Sequence, residues 1–388
     1  MKVVHTADWH AGHRQFDKLT EEGLNVREAD VAQTITRTVT AIIAEAPDLF
    51  VFGGDLFHFS HPSNPAIVHV FNELARLRKA LPSTEILLIA GNHDAPRTAD
   101  AGSILQLFRS LRIHVVERAA ETIELPALDC EVLAVPDVVG IERPTLRPST
   151  TRRHRVLLLH GEIAGMLPVR TSHDIDVAAL HADAWDVICL GHWHVAREVA
   201  PRAWYSGSLD YTSTNPWGEI AEQTERGVNG KGFLVHDLTT RTTRFVPLPA
   251  SRAFLDLGPI HCGDATAAEI DAAIARELDT TFGALDGAVA RVELVDCERH
   301  RLRELDQDAI RAYRARALSF QLVARPPEAV ASLVTVEAAK RTSLEALLHR
   351  AIAERPLPPD VDRDALVRLG ATFLATTRQS TAPVAVEA

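Results

Sequence analysis

Cysteine is scarce and scattered in this sequence. Its four cysteines, Cys130, Cys189, Cys262 and Cys297, include no C-x-x-C pair. That argues against a disulfide framework and against a thiolate zinc site, and leaves buried free thiols as the expectation. Long apolar runs are missing too. The amino terminus, Met1-Lys2-Val3-Val4-His5-Thr6-Ala7-Asp8, lacks the stretch that a signal peptide or spanning helix needs, and no later run is long enough to cross a bilayer. A soluble, cytoplasmic protein without membrane contact is expected. Positive charge is not in excess: 41 Lys and Arg stand against 52 Asp and Glu, a formal net charge of -11. For a protein that binds a polyanion this is contrary evidence, which bound divalent cations would offset only locally. The basic residues are nearly all Arg, which suits bidentate phosphate contact.

What is present is enough for a real core. The hydrophobic fraction is 46%, so disorder is not the main expectation, and 388 residues suggest two or three domains. One pattern repeats along the first two-thirds. A short apolar run ends abruptly in polar residues able to bind metal. The runs are Val3-Val4, Leu49–Phe52, Ile86–Ile89, Val156–Leu159 and Val187–Leu190. Their polar ends are Asp8-Trp9-His10, Gly53-Gly54-Asp55, Gly91-Asn92-His93-Asp94, His160-Gly161 and Gly191-His192-Trp193-His194. Such runs fit strands buried on both faces. Helical patterns lie between them: Val31, Ile35, Val39 and Ile42 share a face, and Asn64-Pro65 opens a helix with Ile67, Val68, Phe71, Leu74 and Leu77 on one face. Alternating strands and helices predict an α/β domain with ligands beyond the carboxyl ends of its strands. All five polar clusters fall there, so one shared site is inferred.

A boundary is expected at Pro247-Leu248-Pro249, closing a domain of residues 1–248. A small α+β capping domain over 249–330 follows. Its expected elements are a strand at Arg252–Leu257, a helix capped by Thr266 and Glu269, a strand over Val289–Leu294, a helix from about Asp306 and a strand around Leu318, Phe320 and Leu322. Thr342 and Glu345 cap a further helix carrying Leu344, Leu347, Leu348, Ala351 and Ile352. Leu366, Leu369 and Phe373 mark another, giving C-terminal helices over 331–377 and a disordered tail over 378–388.

Cleaving a phosphodiester needs a strong nucleophile and a means of spreading negative charge, and two adjacent cations supply both. Asp55 is the natural bridge between them. Asp8, His10 and His194 would complete the first cation's set; Asn92, His160 and His192 would complete the second's. A mixed imidazole and oxygen set suits Mn, Fe or Zn. His93 is read as a non-ligand that protonates the leaving oxygen or stabilises charge, oriented by Asp94. His58, just past Asp55, is a candidate for the substrate-facing wall, standing near even with a structural role. Arg14, Arg97 and Arg197 follow motif residues closely and are candidates for phosphate contact. The other histidines, His13 among them, are expected to be surface or satisfied core residues.

D-x-H, G-G-D, G-N-H-D, H-G and G-H-x-H in this order resemble the calcineurin-like metallophosphoesterase superfamily. The sequence is most similar to SbcD-type DNA repair nucleases. Gly53–His58, Tyr205–Leu209 and Gly230–Leu234 carry that likeness, which covers roughly the first 240 residues. It implies a two-sheet sandwich flanked by helices, two Mn ions, and 3′-to-5′ exonuclease with endonuclease activity on DNA ends. It also implies an SMC-like ATPase partner of the SbcC type, docked by the last helices, a homodimer, and action at the nucleoid. His58 matches archaeal and eukaryotic relatives, where bacterial ones often carry Asp, and Gly161–Gly165 has no close match. Two alternatives remain: a phosphatase or small-nucleotide phosphodiesterase, and a DNA-end scaffold for the ATPase. The protein-phosphatase signatures G-D-x-V-D-R-G and G-N-H-E are absent.

Overall fold

The structure is a computed structural model. It describes residues 1–95, 102–138, 140–141, 143–166, 174–281, 283–327, 352 and 362–370. The chain divides into two compact units, Met1–Pro327 and Glu328–Ala388.

The first unit lays down one sheet, then a second, then returns to the first. Strands β1 (Lys2–Thr6), β2 (Leu49–Phe52), β3 (Glu85–Ile89) and β4 (His114–Val116) run parallel to one another. Next come β5 (Glu121–Leu125), β6 (Cys130–Val135), β7 (His154–His160), β8 (Val187–Gly191), β9 (Arg197–Ala200) and β10 (Ala203–Tyr205). These form the second sheet, in the order β5-β6-β7-β8-β10-β9. Then β11 (Lys231–Asp237) adds antiparallel to β1 and β12 (Thr242–Leu248) antiparallel to β11, giving the first sheet the order β12-β11-β1-β2-β3-β4. This is the expected α/β two-sheet sandwich.

Side chains alternate across each strand, so each sheet feeds two cores. Inward faces meet in an apolar layer of Val3, Leu49, Val51, Leu87 and Ile89 against Val132, Val156, Leu158, Val187 and Cys189. The outer face of the first sheet, with Val4, Phe50, Phe52 and Leu88, packs on helices α1 (Val26–Glu45) and α2 (Asn64–Ala80). Each fully buried Leu or Phe there contributes about 1.5–3 kcal/mol. Among the described residues, the outer face of the second sheet is covered by short 3-10 turns and loops, with Leu180 and Trp185.

The α1 face falls as expected on Val31, Ile35, Val39 and Ile42. The α2 face is rotated from the expected one. Ser63 is the cap, and Ala66, Val70, Leu74 and Leu77 are buried, while Val68 is 58% exposed. Spacings of four and three place those residues on one stripe, and Val68 points off it. A third helix, α3 (Pro216–Arg226), crosses near the ends of β8 and β11.

Beyond β12, strands β13 (Phe254–His261), β14 (Val289–Val295) and β15 (Ser319–Arg325) form a parallel three-stranded sheet with its own core. Helix α4 (Ala267–Asp279) starts with the Thr266/Glu269 capping box, and α5 (Gln307–Arg316) starts at Asp306. Arg252 donates to both Asp30 oxygens of α1, at 2.6 and 2.9 Å, so this sheet belongs to the same compact unit as the sandwich. In the second unit, residues 363–370 are helical, with the Asp362 carboxylate accepting from the amides of Asp364 and Ala365. The expected helix after Thr342 and the tail from residue 378 lie outside the described residues, apart from Ile352. The cysteines are free and buried. No helix among the described residues is long and apolar enough to cross a membrane.

Candidate metal centre

Five strands deliver the expected side chains to one edge of the sandwich. Asp8 and His10 follow β1, Asp55 follows β2, Asn92 follows β3, His160 ends β7, and His192 and His194 follow β8. The backbone there is sharply bent: Asp8, His10, Asp55 and His192 all have positive φ, between 48° and 111°. Non-glycine residues occupy that region at a cost, and clustering of such strain marks a functional edge. Backbone bonds lock the loops together. The amide of Asp8 donates to the Gly54 carbonyl at 2.9 Å, and that of His10 to the Asp55 carbonyl at 3.0 Å. Glycine is required at two approaches. Gly54 has φ 95°, and a Cβ on it would stand 2.5 Å from His160 Nδ1; a Cβ on Gly191 would overlap the Gly53 carbonyl of the other sheet.

Asp55 sits at the centre. Its Oδ2 lies 3.9 Å from His10 Nε2 and 3.5 Å from His160 Nε2, so it stands between the two expected sets. Its Oδ1 accepts from the His93 amide at 2.9 Å. On one side, His10 Nε2 and His194 Nε2 face each other at 3.0 Å, and ligand atoms of Asp8, His10 and His194 lie within 4.8 Å of one another. Asp8 also accepts from the His192 amide through both oxygens, at 3.1 and 3.0 Å. On the other side, Asn92 Oδ1 is 3.1 Å from His160 Nε2 and 3.3 Å from His192 Nδ1. His160 Nδ1 donates to the Gly53 carbonyl at 2.7 Å. In the neutral ring Nε2 therefore carries a lone pair, which faces the amide oxygen with no proton between them.

The electrostatics point the same way. Burial and the charge of Asp55 push the Asp8 carboxyl well above the usual carboxylate range, and push Asp94 up to about 7. Burial and the neighbouring imidazoles push His10 well below its ordinary value; burial with His93 brings His58 down to about 4, and burial with His160 does the same to His192. Carboxylates short of positive charge beside imidazoles held neutral fit a divalent cation, which satisfies both at once. Asp8, His10, Asp55, Asn92, His160, His192 and His194 could therefore hold two ions.

His93 is half-buried beside this group, its ring 4.8 Å from that of His10. Asp94 does not orient it. The Asp94 carboxylate accepts from the amides of Leu56, Phe57 and Gly91 at 3.0–3.1 Å, tying the β2 and β3 loops together. His93 Nδ1 donates instead to the His58 carbonyl at 2.7 Å. His58 thus supports His93 through its backbone, while its ring stacks on His93 and sets Nδ1 3.3 Å from His10 Nδ1. His13, expected to be an ordinary core or surface residue, is buried with both ring nitrogens unpartnered, and its ring lies edge-on to His58 at 4.6 Å. Of the three candidate phosphate contacts, Arg14 pairs with Glu28 at 2.6 Å and Arg197 with Glu222 at 3.2 Å, so their charge is already engaged; Arg97 lies outside the described residues.

Sequence reasoning missed the outer support. Glu219 of α3 places Oε1 3.3 Å from His194 Nδ1, and its other oxygen binds Lys231, whose ammonium also donates to the His194 carbonyl at 2.8 Å. Tyr205 donates to the Gly161 carbonyl at 2.7 Å and accepts from the Ile163 amide, fixing the loop after His160. Lys231 and Tyr205 lie in segments that carried the family likeness; Glu219 had no such signal.

A family model for calcineurin-like phosphoesterases matches residues 1–196 of the 388. The chain belongs to that family. Its phosphoesterases use divalent metals, in line with the donor set above. Among curated relatives, the DNA double-strand break repair protein Mre11 of Sulfolobus acidocaldarius is 27% identical over 206 residues, covering 51% of this chain and 50% of that protein. Mre11 of Methanococcus maripaludis is 26% identical over 253 residues, covering 62% of this chain and 63% of that protein. This phosphoesterase thus spans between half and two-thirds of the length of these relatives. A solved structure, TT1561 of Thermus thermophilus, aligns at 10% identity over 63% of this chain and 98% of that chain, with a TM-score of 0.35. The fold assignment rests on the sheet topology, not on that likeness.

Proposed function

We propose that this phosphoesterase is a two-metal DNA nuclease that processes broken DNA ends. The convergence of seven donors from five strand ends, with Asp55 at their centre, carries this reading, and the likeness to two Mre11 proteins supports DNA as the substrate. Mn2+ is the proposed ion, held by Asp8, His10 and His194 on one side, by Asn92, His160 and His192 on the other, and by Asp55 between. When bound, such a pair supplies a hydroxide nucleophile at neutral pH and stabilises charge on the phosphate oxygens. The chain's own residues do the rest. Asp94 holds the two loops in register through three amides. With Nδ1 committed to the His58 carbonyl, His93 Nε2 is the atom that carries a proton to the leaving oxygen. Homodimerisation, exonuclease and endonuclease modes, a capping role for residues 249–330 and docking of an SMC-like ATPase by 331–377 belong to the same proposal.

The acidic balance of -11 and the engagement of Arg14 and Arg197 by carboxylates favour a second reading, a small-nucleotide phosphodiesterase with the same chemistry. Labelled duplex DNA and a cyclic dinucleotide, each with Mn2+, separate the two. Degradation of the duplex ends is expected, abolished by Asp55→Ala and lowered about 10²–10⁴-fold by His93→Ala. Full activity in Asp55→Ala would sink the mechanism. Turnover of the dinucleotide with no DNA cleavage would transfer the assignment to the second reading.

A further inference from the structure

A second group of metal-ligating side chains lies between the sheets, outside the Asp55 centre. In the antiparallel β1/β11 ladder His236 stands opposite Val3, and His5 is two residues further along. The pleat repeats every two residues, so His5 and His236 project from the same face. That face looks inward, because Val3 belongs to the layer between the sheets. From the other sheet, Cys189 of β8 belongs to the same layer. All three residues are at most 1% exposed. One donor atom from each lies within 4.8 Å of the others.

The ring nitrogens divide into an outer and an inner pair. His5 Nε2 is 3.1 Å from the Leu190 carbonyl, to which it donates. His236 Nδ1 is 2.9 Å from the Thr243 hydroxyl. The inner nitrogens, His5 Nδ1 and His236 Nε2, face each other at 3.5 Å, long for a hydrogen bond. Outer nitrogens bound to a carbonyl or hydroxyl, with lone pairs turned inward, are how proteins fix ligating imidazoles. We propose that His5, His236 and Cys189 form a third cation site, for one thiophilic transition-metal ion, Zn2+ or Cu+. A thiolate with two imidazoles favours such ions over Mn2+, and the donors around Asp55 include no thiolate. The site joins the two sheets three residues before Asp8 and three before His192, so the ion would brace the strands that present those side chains. It does not depend on the substrate of the Asp55 centre.

Cobalt tests this, standing in for zinc. The full chain, stripped with chelator, is titrated with Co2+ and followed in the near ultraviolet for a thiolate-to-cobalt charge-transfer band. The Asp55 centre offers no thiolate, so its occupancy is silent in that band. A band with the intensity of one thiolate-bound Co2+ is expected, complete by about three equivalents of added Co2+ because the Asp55 centre takes up to two. It should vanish in Cys189→Ser and in His236→Gln, and persist in Asp55→Ala and Cys297→Ser. In parallel, Cu+ is competed against a chromophoric chelator, where wild type should retain one equivalent more than Cys189→Ser. Circular dichroism checks folding, and His236→Gln decides if Cys189→Ser does not fold. A Cys189-dependent cobalt band identifies a zinc-class site; Cu+ retention without the band identifies a cuprous one. If the folded wild type shows neither, the proposal fails and the two imidazoles are buried side chains held separately by Thr243 and by the Leu190 carbonyl.

Discussion

The imidazole of His194 is held from two sides, by His10 Nε2 at 3.0 Å and by Glu219 Oε1 at 3.3 Å. Burial alone would raise the Glu219 carboxyl, but Lys231 and His194 bring it down to about 2, so it stays ionised at any working pH. Glu219→Gln is expected to weaken Mn2+ affinity by about 10–100-fold, the usual cost of losing such support. It also strands the Lys231 ammonium, only 5% exposed, which costs about 3–5 kcal/mol. The double change Glu219→Gln/Lys231→Met should recover most of that stability but not the affinity. Calorimetric titration with Mn2+ and urea melts separate the two effects; wild-type affinity in Glu219→Gln would remove the orienting role. The candidate donors could be picked out in the sequence because each follows an apolar run. Glu219 could not, because its partner lies 25 residues away with no spacing rule between them. Asp94 was misread for a related reason. Adjacency in sequence suggested contact with His93, but neighbours in a tight turn point apart, and Asp94 turns back to three amides.

At the scale of elements, the periodicities that identify a strand or helix were visible. The α4 capping box, the α1 face and the doubly buried strands all came from local pattern. Sheet membership did not. Nothing in β11 and β12 announces that they return to the first sheet after six strands have built the second, because both sheets use similar apolar runs. The α2 face shifted because the buried stripe follows Ala66 and Val70, and alanine is a weak marker of a core position. The two sheets approach closely where β8 meets the loop after β2, with Gly191 against the Gly53 carbonyl. Gly191→Ala should force those ends apart. Overpacking of this kind costs about 1–3 kcal/mol, and the displaced His192 and Asp55 should lose Mn2+ affinity as well. Gly230→Ala is the control. Gly230 has φ 73° and open space around it, so it should cost about 1–2 kcal/mol and leave metal binding intact. Two Mn2+ bound with unchanged affinity in Gly191→Ala would show that the close approach is dispensable.

Across the whole molecule, the burial of imidazoles sets how stability responds to acid. Burial pushes His5 well below its ordinary value and takes His13 and His236 down to about 3. His10, His58 and His192 are lowered as well. A histidine with a depressed folded pKa is neutral in the folded chain but takes up a proton when unfolded. It therefore contributes stability above about 6.5, and that contribution is lost as pH falls toward the folded value. The raised carboxyls of Asp8 and Asp94 act in the opposite sense, contributing stability at low pH that is lost as pH rises, for Asp94 through about 7. Six imidazoles against two carboxyls leave acid destabilisation as the net effect. Each fully shifted group contributes at most about 1.4 kcal/mol per pH unit, so several together remove a few kcal/mol between pH 6.5 and 5.5, a large share of a typical total of about 5–15 kcal/mol. Urea midpoints in chelator should therefore fall steeply from pH 7.5 to 5.5. Added Mn2+ should raise the midpoint at pH 7.5 and raise it less at pH 5.5, because the raised Asp8 carboxyl takes up a proton that the ion must displace while the imidazoles stay neutral. A flat profile in chelator would mean that these imidazoles are not buried in their neutral form, and the metal-ready state of the Asp55 centre would lose its electrostatic basis.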